Sequence, residues 1–188
     1  YSTARDISIM SRELMRHNKI FDFTGIWMDT LRNGEFTLSN TNKLIRFYEG
    51  ATGLKTGSTS KAGFCISATA KRDNMHLIAV IMNAETSKKR QADASTLLNY
   101  GFKNYKIKNI IDKKKNTYSY DIDKGEQNKI SVCPETGIDY VLSKNDNSEF
   151  KTEAVTDKKI CAPVKKGSEV GKIKIFMNGK YKTSVKLV

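Results

Sequence analysis

The sequence predicts an α+β protein: an antiparallel sheet with helices packed on it, followed by a small all-β, sandwich-like domain. Three observations carry this. The apolar runs Cys65 to Ala70 and Met75 to Met82 flank the turn Arg72-Asp73-Asn74 and read as adjacent antiparallel strands. Helical periodicity covers residues 4–17 and 88–102. From Lys106 onward the chain becomes a series of short alternating stretches with turn residues between them, as in a β sandwich or barrel. The expected domains are therefore residues 1–105 and 106–188.

Each element has its own reason. Ala4 to His17 is a helix because Ile7, Met10, Leu14 and Met15 recur at its spacing, and Asn18 stops it. Phe21, Phe23, Ile26 and Trp27 predict a buried corner, Asn33-Gly34 a turn, Phe36 to Leu38 a short strand, and Asn42 to Tyr48 a single helical turn. Gly53 to Ser58 is expected as a strand with glycines where backbone must be approached closely. Gly63 to Lys71 and Met75 to Asn83 follow it. The nearly continuous apolar content of His76 to Met82 predicts a strand covered on both faces. Lys88 to Phe102 is a helix with Ala92, Ser95, Thr96, Leu98, Asn99 and Phe102 sharing its spacing and Gly101 near its end. Beyond it, strands are expected at 106–111, 116–122, 129–133, 138–142, 149–155, 158–162, 170–177 and 180–187. Asn178-Gly179 is the strongest hairpin signal in the chain.

Composition narrows the function. Hydrophobic residues make up 38% of the chain, enough for a core, and no 18-residue apolar run exists to cross a membrane as a helix. The net charge is +13, spread along the whole length. Residues 106–188 hold 18 lysines and no arginine. Nucleic-acid readers concentrate Arg and aromatics in patches, so a nucleic-acid partner is not expected. A diffuse lysine surface fits a solvated exterior or attraction to an anionic wall or membrane face. Three cysteines with no Cys-x-x-Cys exclude a disulfide scaffold and a zinc site on spacing grounds. Cys65 is expected to pack as a small apolar residue in a strand, and a Cys133–Cys161 bridge is not expected. His17 and His76 are isolated. No metal and no cofactor is expected.

The chemistry concentrates at Lys55-Thr56-Gly57. The triplet lies within Gly53-Leu54-Lys55-Thr56-Gly57-Ser58-Thr59-Ser60-Lys61-Ala62-Gly63-Phe64, with glycines on both flanks, at the opening of a strand hairpin. Lys-Thr-Gly belongs, with Ser-x-x-Lys and Ser-Asp-Asn, to the signature of penicillin-binding proteins and class A β-lactamases.

The wider stretch resembles the serine D-alanyl-D-alanine carboxypeptidases, the low-molecular-mass penicillin-binding proteins that trim peptidoglycan. Tyr1-Ser2-Thr3-Ala4-Arg5-Asp6, Asn40-Thr41-Asn42-Lys43-Leu44, Gly53 to Phe64, Ala68-Thr69-Ala70-Lys71-Arg72-Asp73 and Leu97-Leu98-Asn99-Tyr100-Gly101-Phe102 fall in that family's order and spacing. Ala162-Pro163-Val164-Lys165-Lys166-Gly167 is similar to part of its C-terminal β domain. The resemblance implies a transpeptidase/β-lactamase-like sheet and an acyl-enzyme hydrolase that removes terminal D-alanine from peptidoglycan stem peptides. It implies β-lactams as ligands of the parent protein, an extracytoplasmic place in the bacterial envelope, and contact with a membrane surface through residues beyond Val188.

The family's nucleophile lies in a Ser-x-x-Lys motif upstream of the triplet, with Ser-x-Asn between them. Only 54 residues precede Lys55, and neither motif occurs among them. The chain is thus expected to be the C-terminal portion of such an enzyme, with no nucleophile of its own and no activity alone. Two formal matches are set aside. Ser58-Thr59-Ser60-Lys61 follows Gly57 in a strand or tight loop, whereas the chemistry needs the Ser and Lys on one helix face. Ser143-Lys144-Asn145 lies in a polar turn.

What the fragment would supply follows from its residue types. Lys55 brings positive charge beside the nucleophile. Thr56 points the other way on the strand. Gly57 lets substrate backbone lie close. By the resemblance, substrate pairs with this strand edge as an added strand. The backbone N–H of Ser58 then completes the oxyanion hole, Thr56 or a hydroxyl near it binds the substrate carboxylate, and Arg90 matches an arginine near that carboxylate. Asn40 and Asn42 read equally as turn formers or as site residues, and Trp27 as core. The competing reading is a non-catalytic module that binds wall or other proteins. With the upstream half absent, one face of the sheet should be bare and apolar.

Overall fold

The computed structural model describes residues 1–156 and 159–188. The chain divides into two compact units, Tyr1–Tyr105 and Lys106–Val188.

The first unit contains α1 (Ala4–Leu14), α2 (Phe21–Thr24), β1 (Met28–Leu31), β2 (Phe36–Ser39), α3 (Leu44–Phe47), β3 (Ala51–Thr59), β4 (Gly63–Arg72), β5 (Met75–Ala84) and α4 (Ser87–Asn104). Its main sheet is antiparallel in the order β3-β4-β5. α1 starts at a capping box, in which the Thr3 hydroxyl accepts from Asp6 N–H and the Asp6 carboxylate accepts from Thr3 N–H. The helix ends at Leu14, short of the expected His17. The Thr86 hydroxyl caps α4 by accepting from Lys89 N–H.

The two long helices lie on opposite faces of the sheet and pack on both β4 and β5. Ile66, Ala68 and Ala70 point to α4 and form the core with Ala94, Leu98 and Phe102. Ser67 points to α1, where its Oγ lies 2.6 Å from Ser11 Oγ. β4 is buried continuously from Ile66 to Ala70, whereas β5, which both helices also contact, is less enclosed than its apolar run predicts. β5 lies at the sheet's edge, and apart from Ala79 and Ala84 its residues are half-buried or exposed. The reason is position: β4 has a strand on each side, whereas among the described strands β5 has a neighbour only in β4.

Three further expectations change. α1 faces the sheet with Ser11, and Met10 and Leu14 are exposed. The buried stripe of α4 is Arg90, Ala94, Leu98 and Phe102, with Ala92, Thr96 and Asn99 outside. The corner around Phe21 is not buried: Phe23 and Ile26 are exposed, and Trp27 is half-buried, edge-on to Phe47 with Arg46 over its ring. The exposed β1–β2 hairpin turns at Arg32–Gly34, with Asn33 and Gly34 at positive φ. The bare sheet face is not seen, since α1 lies on one face and α4 on the other; the exposed apolar residues Ile9, Met10 and Leu14 belong to α1 and Met82 to β5.

The second unit adds β6 (Tyr105–Ile111), β7 (Tyr118–Asp123), β8 (Lys129–Val132), β9 (Ile138–Ser143), β10 (Phe150–Val155), β11 (Ile160–Cys161), β12 (Gly171–Met177) and β13 (Lys180–Leu187). The start of the strand expected at 158–162 lies outside the described residues. The sheet orders are β10-β12-β13, β11-β7-β8 and β6-β9. Inward residues alternate along the strands, and Ile111, Val132, Ile173, Ile175, Val185 and Leu187 make the core. Asn178 and Gly179 both take positive φ, as the two-residue hairpin turn between β12 and β13 requires. All three cysteines are free thiols. Among the described residues no helix is long and apolar enough to cross a membrane.

Candidate functional site

β3 carries the Lys-Thr-Gly triplet on the edge of the sheet. Its inner edge pairs with β4: Lys55 opposes Ser67, Thr56 opposes Ile66, Gly57 opposes Cys65 and Ser58 opposes Phe64. Strand alternation sends Lys55 to the α1 face and Thr56 to the α4 face. Lys55, Gly57 and Ser58 are exposed, and Thr56 is buried. No strand among the described residues pairs with the outer edge of β3.

The start of β3 is pinned by side chains. Asn42 Nδ2 donates to Gly53 O at 3.0 Å, and Thr24 Oγ1 donates to Thr52 O at 2.7 Å. Asn42 is itself held, its Oδ1 accepting from Leu44 N–H and its own N–H donating to Asn40 Oδ1. Asn40 Nδ2 donates to Ile26 O at 2.9 Å. Both asparagines thus serve turns and the strand start, and Asn42 is fully buried. Gly53 has to be glycine: its φ is +157°, and a Cβ there would lie 2.6 Å from Thr24 Oγ1. Gly57 differs, since among the described residues no atom lies within 4 Å of the place its Cβ would take. The space beside it is open.

A groove of about 360 Å³ runs between α1 and the sheet beside the triplet. Met10, Ser11 and Leu14 line it from α1, Lys55 and Gly57 from β3, Cys65 and Ser67 from β4, and Val80 and Met82 from β5. Lys55 is the one charged residue in its wall among the described residues. The Lys55 ammonium donates to the main-chain carbonyl of Thr56. Cys65 is half-buried, and its thiol donates to Ala62 O at 3.2 Å, so it stabilises the hairpin turn rather than packing as a plain apolar residue.

Arg90 is buried in α4. Its guanidinium donates to Cys65 O at 3.1 Å, to Gly57 O at 3.4 Å and to Ser87 Oγ at 3.2 Å. Among the described residues its buried Nε has no hydrogen-bond partner. Burial lowers its pKa from the ordinary value, with Cys65 opposing the shift. The guanidinium therefore braces β3 against β4 at the triplet and is not open to solvent.

Sequence reasoning missed Thr41. Its Oγ1 lies 2.6 Å from Thr56 Oγ1, and its carbonyl accepts from Gln91 Nε2 at 3.5 Å. The only signal was a hydroxyl standing between two asparagines. The two formal motifs fall where helical chemistry is absent. Ser58 and Thr59 lie in β3 with Ser60 and Lys61 in the turn after it, and Ser143 ends β9. Among the described residues no three His, Cys, Asp or Glu side chains are grouped to hold a metal. The arrangement is an open strand edge with one cation in an apolar wall, suited to hold an extended peptide.

Comparison with known proteins agrees with this geometry. Residues 1–86 match the D-alanyl-D-alanine carboxypeptidase family and residues 105–188 the C-terminal domain of penicillin-binding protein 5. The chain is 36% identical to the D-alanyl-D-alanine carboxypeptidase DacF of Bacillus subtilis over 95% of its own length and 47% of the relative's. Penicillin-binding protein 5 from Haemophilus influenzae superposes with a TM-score of 0.73 at 28% identity, covering 100% of this chain and 55% of that one. Penicillin-binding protein D2 from Listeria monocytogenes, in its cefotaxime-bound form, gives 0.51 at 35% identity over 54% of this chain and 41% of that one. The chain spans about half the length of the curated relatives it matches. An open Lys-Thr-Gly strand edge followed by a small β domain, matched on both parts, means that this chain belongs to the D-alanyl-D-alanine carboxypeptidase family of penicillin-binding proteins, as part of such a protein.

Proposed function

We propose that this chain is the substrate-holding part of a serine D-alanyl-D-alanine carboxypeptidase of the bacterial envelope. The observation that carries it is the exposure of Lys55 and Gly57 on a strand edge that no strand among the described residues pairs, beside the groove. A peptidoglycan stem peptide ending in D-Ala-D-Ala would lie along β3 as an added strand. Gly57 leaves room for its backbone. The Ser58 N–H supplies one oxyanion-hole donor, an interaction of about 3–4 kcal/mol in the barrier. Lys55 supplies the cation beside the reacting centre. Thr56 and Thr41 face the substrate's terminal carboxylate. Arg90 acts from behind, fixing the carbonyls of Gly57 and Cys65 and adding positive charge under that carboxylate.

The reacting serine belongs to a segment outside these 188 residues. It attacks the penultimate D-alanine carbonyl, releases D-alanine and leaves an acyl-enzyme that water hydrolyses. β-Lactams acylate the same serine, and residues beyond Val188 bring the protein to a membrane surface.

The test is labelling by a tagged penicillin. A protein of the relatives' full length containing this chain should be acylated, the 188-residue chain should not, and Lys55→Ala should nearly abolish labelling in the long form. A long form that never labels would leave a non-catalytic wall-binding module as the better reading.

A further inference from the structure

Lys55 occupies the groove wall, yet its ammonium is folded onto the main-chain carbonyl of its own neighbour. Nothing in that contact aims it at a reacting centre. The residue directly across the ladder is Ser67. Opposite residues of an antiparallel pair share a face, with Cβ atoms about 5 Å apart. Lys55 and Ser67 therefore stand side by side on the α1 face, and both line the groove.

Ser67 does not stand alone. Its Oγ lies 2.6 Å from Ser11 Oγ of α1, and both serines are buried. Two hydroxyls hold two protons and four lone pairs between them. Their mutual bond uses one proton and one lone pair, which leaves a donor and acceptor sites on the pair. A half-satisfied hydroxyl pair in a wall otherwise built from Met10, Leu14, Val80 and Met82 costs free energy unless a polar group meets it. Lys55 is the one charged group lining the groove among the described residues, and Cys65 the one other titratable one. An ammonium has three protons to give and no lone pair, so it fits the pair's acceptor side.

We propose that Ser67, oriented by Ser11, is a positioning residue for Lys55: it accepts the ammonium in the working enzyme and turns it from the strand carbonyl into the groove. The inference rests on the function proposed above. Neither serine lies in the Lys-Thr-Gly triplet, and the two are brought together only by the packing of α1 on the sheet.

The test uses the full-length protein and separates the acylation rate constant from the affinity of the preceding complex with a tagged penicillin. Ser67→Val should lower the rate constant at least tenfold and leave the affinity within twofold. Ser67→Thr, which keeps a hydroxyl on the same branched shape, should recover most of the rate. Ser11→Ala should fall between them. Thermal midpoints are read for each. A merely structural role would lower the midpoint without this split between rate and affinity, and without rescue by Thr. Equal rate constants in the wild type and Ser67→Val, or no difference between Val and Thr, would overturn the inference and leave the proposed carboxypeptidase function standing. A wild type that takes up no penicillin would sink that function and this inference with it.

Discussion

Thr41 Oγ1 and Thr56 Oγ1 lie 2.6 Å apart, which joins the loop before α3 to the strand that carries the triplet. Thr56 is buried and Thr41 is exposed. Two hydroxyls with one bond between them keep one proton for a third partner, and the exposed member is placed to offer it. Thr41 sits between Asn40 and Asn42, both hydrogen-bonded, so its backbone is fixed. In the full-length protein Thr41→Val should slow turnover of a peptide with a free terminal carboxylate about tenfold, about 1.4 kcal/mol. Thr41→Ser should restore it. Equal turnover by Thr41→Val would show that Thr56 works without its neighbour.

Gly53 and Gly57 should respond in opposite ways. A Cβ at Gly53 meets Thr24 at 2.6 Å, so Gly53→Ala should cost about 2 kcal/mol or more of stability. A Cβ at Gly57 meets nothing. Gly57→Ala should leave denaturant unfolding of the 188-residue chain within about 0.5 kcal/mol of wild type, while Gly57→Val slows acylation of the long form by filling the space a substrate backbone needs. A large stability loss at Gly57 would contradict the open geometry.

Arg90 ties α4 to two strand carbonyls, so its loss leaves buried acceptors unmatched. Arg90→Met should destabilise the chain by about 2–3 kcal/mol. Arg90→Lys should recover only part, because a single ammonium cannot span Gly57 O, Cys65 O and Ser87 Oγ as the planar fork does. Denaturant titration of the three proteins measures this. Full stability in Arg90→Met would show that the brace carries nothing.

His76 should make stability depend on pH. Burial, and then the charge of Lys71, lower its pKa from the ordinary 6.5. Its Nε2 is hydrogen-bonded to Thr52 Oγ1 at 2.8 Å, and Thr52 in turn to Thr69 Oγ1 at 2.8 Å. Above 6.5 neither the folded nor the unfolded chain holds this proton. As the pH falls below that value the unfolded chain takes it up first, so stability is lost on the way down to the folded pKa. The thermal midpoint of the wild type should therefore drop more than that of His76→Gln between about pH 7.5 and about pH 5. Parallel curves would remove His76 from the account.

Local features follow from the residues themselves. Period-two alternation marked the strands of the second unit, and Asn178-Gly179 marked a hairpin because few residue pairs take positive φ twice in succession. The glycine-flanked triplet and its place on a strand were equally legible, since backbone demands write themselves into residue type. Tertiary structure alone decided the facing. Ser67-Ala68-Thr69-Ala70 became the most enclosed stretch because β4 lies between β3 and β5, a placement that hydropathy does not register. Met10 and Leu14 line a groove rather than the core because Ser11, not they, meets β4. Arg90 and Thr41 gained their roles from partners 33 and 15 residues away in sequence. Contacts between distant segments depend on which surfaces meet when helices pack on a sheet, and no window along the chain contains that information.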